Sequence, residues 1–442
     1  MSQPSTRPSN NLTALSAHQK RQLAASVRAV VGVDAGKFAH TLVVRPAGGA
    51  DSRPMSVPVT REGFERAVAA IHAAAPAAPP ADVLVGLEFA GTYGFTFAHY
   101  LHDQGYQVVS VLAAHTKHRK EVTHNQAIKT DAKDAAVITD LVAQGKFVGF
   151  AFLAQPYAEL RYLVSAREHV TTLRNAALTR LIAVLDIVFP EYERLFGDLA
   201  KPTALAVLAA FPGPAALLAA PKRRVLAVLH RASRGHVGPE RYEALMAAAR
   251  DTLALPGAQG VLKDELPLII ARLELCDAQL ATLKQRMIAT MRELPEAAAL
   301  LTIPGVAPVT AATFLGCVGD PTAYTSSAQI LKLAGLSLVE RSSGVTQGRR
   351  RLSKRGKPVL RRHAFMFALR SVRADGLYRT EFERLLKNTG GKKLPALAAI
   401  SRKALRLMFR VACECRPYVP AAEWKAAGDR PGSAAAADRS AA

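Results

Sequence analysis

The chain has 442 residues, 50% hydrophobic and 21% charged, the proportions of a folded protein with room for two or three cores. Lys and Arg outnumber Asp and Glu by 58 to 35, a formal charge of +23, which points to a polyanionic partner and to nucleic acid before an anionic membrane surface. No apolar run of about 20 residues is free of charges or breakers, so no membrane span is expected, and the N-terminus lacks the apolar core of a signal peptide.

Four cysteines (Cys276, Cys317, Cys413, Cys415) form no paired CxxC motif. That spacing argues against a zinc site and for free thiols in a reducing, cytoplasmic setting. Residues 1–27 are polar and rich in Ser, Asn and Pro, and read as a disordered arm. Residues 28–150 read as α/β. Short apolar runs predict strands at Ala29–Val33, Thr41–Val44, Met55–Val59, Val83–Leu87 and Val108–Leu112. Helical spacing of Phe64, Ala67, Val68 and Ile71 predicts a helix over 62–75, and a second is predicted from Thr130 to Val142. Strands followed by alternating helices and strands suit a mixed sheet with helices on its faces.

Residues 157–295 read as helical. One long amphipathic stretch carries Leu160, Leu163, Leu181 and Leu185, and another runs from about 262 to 293. An Ala/Leu-rich insert lies between them, interrupted by Pro202, Pro212, Pro214 and Pro221. Two long helices around an insert fit an antiparallel coiled coil or an ordinary helical bundle. Residues 297–416 form a third, mostly helical unit. It opens with Ile303-Pro304-Gly305-Val306, a turn ahead of a helix whose backbone amides could hold a phosphate. Residues 421–442 read as a disordered tail.

Four acidic residues stand apart from the surface charge. Asp34 and Glu88 each follow an apolar strand, so both should project at the carboxyl edge of the sheet. Asp131 and Asp134 are three apart on a predicted helix and share a face. Carboxylates gathered in one place repel one another, and a divalent cation removes the conflict. Magnesium takes hard oxygen ligands and retains positions for phosphate oxygens, so the set reads as a nuclease-like metal site. Singly, a strand-end Asp is commonly a turn former and a helical Asp pair is commonly solvated.

From Arg341 to Arg373 there are eleven Lys or Arg residues and no acidic ones. Arg349, Arg350, Arg351, Lys354, Arg355, Lys357, Arg361 and Arg362 are the candidate nucleic-acid contacts in this field. Ser342-Ser343-Gly344 lies within it. A serine hydroxyl there is either a nucleophile activated by its surroundings or part of a polar turn.

These motifs together resemble the DEDD-type transposases of bacterial insertion sequences (the one-hundred-and-ten family), the bridge-RNA-guided recombinases. Val31-Gly-Val-Asp34-Ala-Gly-Lys37, Leu87-Glu88-Phe-Ala-Gly91 and Lys129-Thr130-Asp131-Ala-Lys-Asp134-Ala135 resemble its acidic motifs. Ile303-Pro304-Gly305-Val306, Ala334-Gly335-Leu336, Ser342-Ser343-Gly344 and Leu352-Ser353-Lys354-Arg355-Gly356 resemble its C-terminal motifs. The resemblance covers roughly residues 29–142 and 297–375.

It implies a RuvC-like, ribonuclease-H-type first domain, a helical or coiled-coil middle and a mostly helical C-terminal transposase domain. It implies that Asp34, Glu88, Asp131 and Asp134 bind Mg2+. It also implies that a serine, Ser343 with Ser342 as alternate, attacks DNA and forms a phosphoserine link. The implied partners are donor and target DNA, a structured RNA from the same element, and further copies of the chain in a dimer or tetramer.

Three other readings remain at this stage. A metal-only junction nuclease of the same fold would make no covalent adduct. A non-enzymatic nucleic-acid-binding protein would not need the four carboxylates. An actin-like sugar kinase also opens on Gly-Val-Asp-x-Gly, but it needs later Gly-rich phosphate loops that the sequence does not show.

Overall fold

The computed structural model describes residues 12, 15–89, 92–123, 131–255, 259–340 and 351–420. Ser342, Ser343, Arg349 and Arg350 lie outside the described residues, as do most of the expected arm and the expected tail. The chain divides into two compact units, residues 1–153 with 322–329, and residues 154–321 with 330–442. The helical middle and most of the C-terminal segment thus share the second unit.

The first unit is built on a six-stranded mixed sheet. Its strands are β1 (Ala29–Ala35), β2 (Ala39–Pro46), β3 (Met55–Pro58), β4 (Val83–Glu88), β5 (Gln107–Val111) and β6 (Val148–Gly149), in the order β3-β2-β1-β4-β5-β6. The pairs β1–β2 and β2–β3 are antiparallel, β1–β4 and β4–β5 parallel, and β5–β6 antiparallel. This mixed sheet is consistent with the expected ribonuclease-H-type domain.

Among the described residues, five α-helices accompany the sheet: α1 (Ala17–Ser26), α2 (Arg61–Ala74), α3 (Phe95–Asp103), α4 (Ala113–Thr123) and α5 (Asp131–Ala143). Both faces of the central strands are covered, which is why those strands read as unbroken apolar runs. Val31, Val33, Val85 and Leu87 pack with Phe64 of α2 and with Phe97 and Leu101 of α3. Val30, Leu84 and Val109 pack on the opposite face with Ile138 and Leu141 of α5.

Residues 17–26, expected to belong to the disordered arm, form α1. Ser16 and Gln19 make a reciprocal capping box at its start, and Ala24 and Val27 pack into the cluster beneath α5. The polar composition of the arm hid this short buried face. Helices α3 and α4 were not anticipated either, because neither carries a long apolar stripe.

In the second unit, α6 (Tyr157–Val188) and α12 (Gln259–Met291) pack along each other. Ion pairs join Glu159 to Arg286, Arg174 to Asp277, and Arg180 to Glu265. One partner's number rises as the other falls, so the helices run antiparallel. Between them in sequence come α7 (Tyr192–Phe196), α8 (Pro202–Ala210), α9 (Pro214–Ala219), α10 (Lys222–Ser233) and α11 (Pro239–Arg250). Pro202, Pro214 and Pro239 sit in the first turns of their helices. A missing N–H costs nothing there, so these prolines start helices of the insert.

Leu181 and Leu185 of α6 and Leu266 and Leu273 of α12 share one core with Leu208, Leu229 and Leu245 of the insert. That half of the helix pair is packed as in a bundle. The chain continues through α13 (Pro295–Leu301), α14 (Pro308–Val318), α15 (Ser327–Leu333), β7 (Leu338–Val339), β8 (Arg351–Leu352), α16 (Pro358–Ser371), α17 (Arg379–Asn388) and α18 (Lys393–Glu414). Ala368, Phe382, Ala396 and Ile400 join the last three helices in a small core. Among the described residues, no helix is long and apolar enough to cross a membrane.

Candidate active site

The parallel pairing of β1 with β4 places Asp34 opposite Glu88 in register. Successive strand residues point to opposite faces. Val30 and Leu84 face α5, as do Gly32 and Gly86, whose added Cβ atoms would strike α5. Asp34 and Glu88 continue those two alternating rows, so both carboxylates belong to the face that α5 covers. Each is half-buried.

The position of α5 follows from its neighbours. A Cβ on Gly32 would stand 2.3 Å from Thr139 N and 2.4 Å from Ala135 O, so helix backbone lies directly on strand backbone. The Thr139 hydroxyl, fully buried, is 2.9 Å from Ala135 O and 3.3 Å from Val43 O. Further along the helix Asp140 meets Arg45 at 3.0 Å, and Arg45 is the register partner of Val30 near the start of β1. Helix α5 therefore runs antiparallel to β1, and its first turn lies toward the end that carries Asp34. Asp134, in that turn, is buried, while Asp131 is exposed.

Asp34 and Glu88 are register neighbours at one edge of the sheet, and the first turn of α5, which carries Asp131 and Asp134, lies toward that end. Among the described residues, no group of three or more His, Cys, Asp or Glu side chains is close enough to hold a metal ion. The donor set is nonetheless of the right kind for a hard divalent cation, all carboxylate oxygens.

Helix α4 adds residues that the sequence did not single out. Thr116 is 2% exposed, and its Oγ1 donates to Glu88 Oε2 at 2.6 Å. Arg119, one turn on, pairs with Asp140 of α5 at 2.6 Å. Burial pushes the Asp140 carboxyl up, but the hydrogen bonds from Arg119 and Arg45 outweigh it and hold the group below the usual carboxylate range. Arg45 also holds Asp51. No motif marks Thr116 or Arg119, and only the fold brings Thr116 to Glu88 and Arg119 to α5.

In the second unit two separate C-terminal motifs meet. Ser353 N donates to Ser337 O, Lys354 N to Gly335 O, and Lys357 N to Leu333 O, at 2.8, 3.0 and 2.7 Å. Gly356 has φ +153°, and a Cβ there would strike Gly335 N at 2.4 Å, so this close approach requires glycine. Strands β7 and β8, which pair antiparallel, flank residues 341–350 in sequence.

The basic residues divide into two kinds. Arg351, Lys354 and Arg355 are exposed. Arg361, by contrast, donates to the Ala334 and Lys354 carbonyls and ties the two motifs together. The Lys357 ammonium donates to Cys317 O at 2.8 Å, and burial lowers its pKa to about 8. Arg362 pairs with Glu168 of α6. Lys357 and Arg361, expected as nucleic-acid contacts, have partners inside the fold, whereas Arg362 is exposed as well as paired.

His363 lies 3.9 Å from Glu168. Burial, reinforced by Arg167, Arg362 and Arg370, lowers its pKa to about 4. Arg370 donates to Gly305 O at 3.0 Å and to Thr310 Oγ1 at 2.9 Å, fixing the Pro304-Gly305 turn at the start of α14.

A strand-end carboxylate pair beneath a helix with two acidic residues in its first turn, in a strongly basic chain, is consistent with a transposase. Residues 31–190 match the DEDD transposase family model of IS110, and residues 297–383 match the transposase family described as IS116/IS110/IS902. The chain belongs to the IS110 family of insertion-element transposases, whose work is the cleavage and rejoining of DNA.

It is 26% identical over 391 residues to the 43.6 kDa protein of insertion element IS110 from Streptomyces coelicolor, across 86% of this chain and 92% of that one. It is 28% identical over 319 residues to the 42 kDa protein of IS900 from Mycobacterium paratuberculosis, across 71% and 78% of the two chains. It is 27% identical over 405 residues to the 44.8 kDa protein of IS116 from Streptomyces clavuligerus, across 88% and 96%.

Proposed function

We propose that this transposase exchanges DNA strands through its acidic sheet edge and a serine of residues 342–343, guided by an RNA from its own element. The observation that carries the reading is the register pairing of Asp34 with Glu88 on the face covered by α5. Asp34, Glu88, Asp131 and Asp134 would hold magnesium. When bound, the ion supplies charge to the phosphate and to the oxygens that enter and leave it.

In the proposed reaction the hydroxyl of Ser343, with Ser342 as alternate, attacks phosphorus. A serine–phosphate bond forms, the bond to the sugar oxygen breaks, and the serine proton ends on the departing sugar hydroxyl. The reverse attack by a sugar hydroxyl rejoins the strand. One phosphodiester replaces another, so no nucleotide hydrolysis is needed. Exposed Arg351, Lys354 and Arg355 would track nucleic-acid backbone, and base pairing between RNA and DNA would choose the sites, as in other RNA-guided enzymes. Two or four copies of the chain would act together.

The test is strand exchange by purified protein with the element's RNA, donor and target DNA and magnesium. Products should require the RNA and the metal, and should disappear with Asp34→Asn or Glu88→Gln. Full activity in both variants would remove the acidic edge from the reaction.

A further inference from the structure

Helix α4 lies against the acidic edge without contributing an acidic residue of the tetrad to it. Its Thr116 is almost wholly buried, which is unusual for a threonine in so polar a helix. A helical threonine ordinarily gives its hydroxyl proton to a carbonyl one turn back, and here Ala113 O is available at 2.9 Å. Glu88 Oε2 is closer, at 2.6 Å. One hydroxyl has one proton to give, and the ionised carboxylate is the stronger acceptor.

The helix itself is fixed from its next turn. Arg119 reaches Asp140 of α5, and Arg45 of β2 reaches the same carboxylate. The side chain that holds Glu88 is therefore anchored on the helix that carries Asp131 and Asp134.

We infer that Thr116 is a positioning residue for the carboxylate site, fixing the Glu88 carboxylate through its hydroxyl while Arg119 anchors α4 on α5. The inference rests on the metal reading of that site. A hydrogen bond of this kind removes rotamers that a ligating carboxylate must otherwise give up on binding, and it leaves the second carboxylate oxygen to the ion. Loss of such outer partners weakens metal binding by about 10–100-fold.

The experiment is calorimetric titration of the full-length chain with manganese chloride, for wild type, Glu88→Gln, Thr116→Val and Thr116→Ser. Folding is checked by circular dichroism and melting temperature. Valine keeps the shape of threonine and removes the hydroxyl, whereas serine keeps the hydroxyl and removes the methyl group. The expected result is little or no binding in Glu88→Gln, affinity at least about tenfold weaker in Thr116→Val, and affinity within about threefold of wild type in Thr116→Ser.

A packing role predicts the opposite order for the two Thr116 variants. Wild-type affinity in Thr116→Val, or equal weakening in both, would overturn the inference while Glu88→Gln still upheld the metal site. Wild-type affinity in Glu88→Gln would instead overturn the metal reading itself. If Thr116→Val does not fold, Thr116→Ala replaces it under the same thresholds.

Discussion

Asp34 and Glu88 are register partners at the ends of two parallel strands, and strand alternation turns both toward the helix that carries Asp131 and Asp134. Their proximity is a property of the sheet. Any change that preserves the β1–β4 pairing preserves the pair, whereas the approach of α5 depends on two glycines.

Gly32 is the more exposed to failure. A Cβ there would meet the α5 backbone at 2.3–2.4 Å, and backbone cannot swing aside as a flexible side chain can. Gly32→Ala should destabilise the first unit by about 1–3 kcal/mol, the range of core overpacking. It should also weaken manganese binding, because α5 must lift. Denaturant unfolding and metal titration of the same variant check both effects.

The long helix pair separates burial from surface charge. Leu181 is fully buried in the core shared with the insert, and Leu181→Ala should cost about 2–5 kcal/mol. Arg180 beside it pairs with Glu265 in solvent, where ion pairs gain little. Arg180→Ala should leave the melting temperature unchanged within error.

Lys357 makes a pH-dependent contribution. Burial lowers its pKa from the usual 10.5 to about 8. Between those values the unfolded chain binds a proton that the folded chain does not, so stability rises with pH over that window. Below about pH 8 both states carry the charge and the burial penalty is fully present. Lys357→Met should flatten the rise between about pH 8 and 10.5, as read from paired urea titrations across that range.

The two kinds of basic residue should separate by salt dependence. On duplex DNA, each phosphate that a side chain neutralises adds about 0.9 to the steepness of log affinity against log salt. Arg351→Ala, Lys354→Ala and Arg355→Ala should each make that dependence shallower with little effect on stability. Arg361→Ala breaks bonds to Ala334 O and Lys354 O and should chiefly lower the melting temperature. Fluorescence anisotropy at several salt concentrations, beside thermal melts, distinguishes them.

The strands, and the places of Asp34 and Glu88 on them, were legible because a strand buried on both faces leaves a continuous apolar run, and an acidic residue near its end breaks the pattern. The long helices were legible from their spacing. Helix α4 was not, since its function rests on one buried threonine and one arginine whose partners are 28 and 21 residues away. The basic segment was legible as charge but not as geometry. Sequence cannot tell an exposed Arg355 from an Arg361 whose guanidinium serves two carbonyls. Helix α1 escaped because its capping box sits in a polar stretch with little apolar surface to mark it.

The central claim is that this transposase joins itself to DNA through a serine while its acidic edge acts on the same phosphate. The most direct measurement is a denaturing gel for a protein–DNA adduct, using purified chain, the element's RNA, donor and target DNA, and magnesium. The account predicts an adduct in wild type that is absent in Ser343→Ala, or in Ser342→Ala if that residue is the nucleophile, and absent in Asp34→Asn. Cleavage without any adduct, unchanged by either serine substitution, would contradict it and leave a nuclease that works through the carboxylates alone.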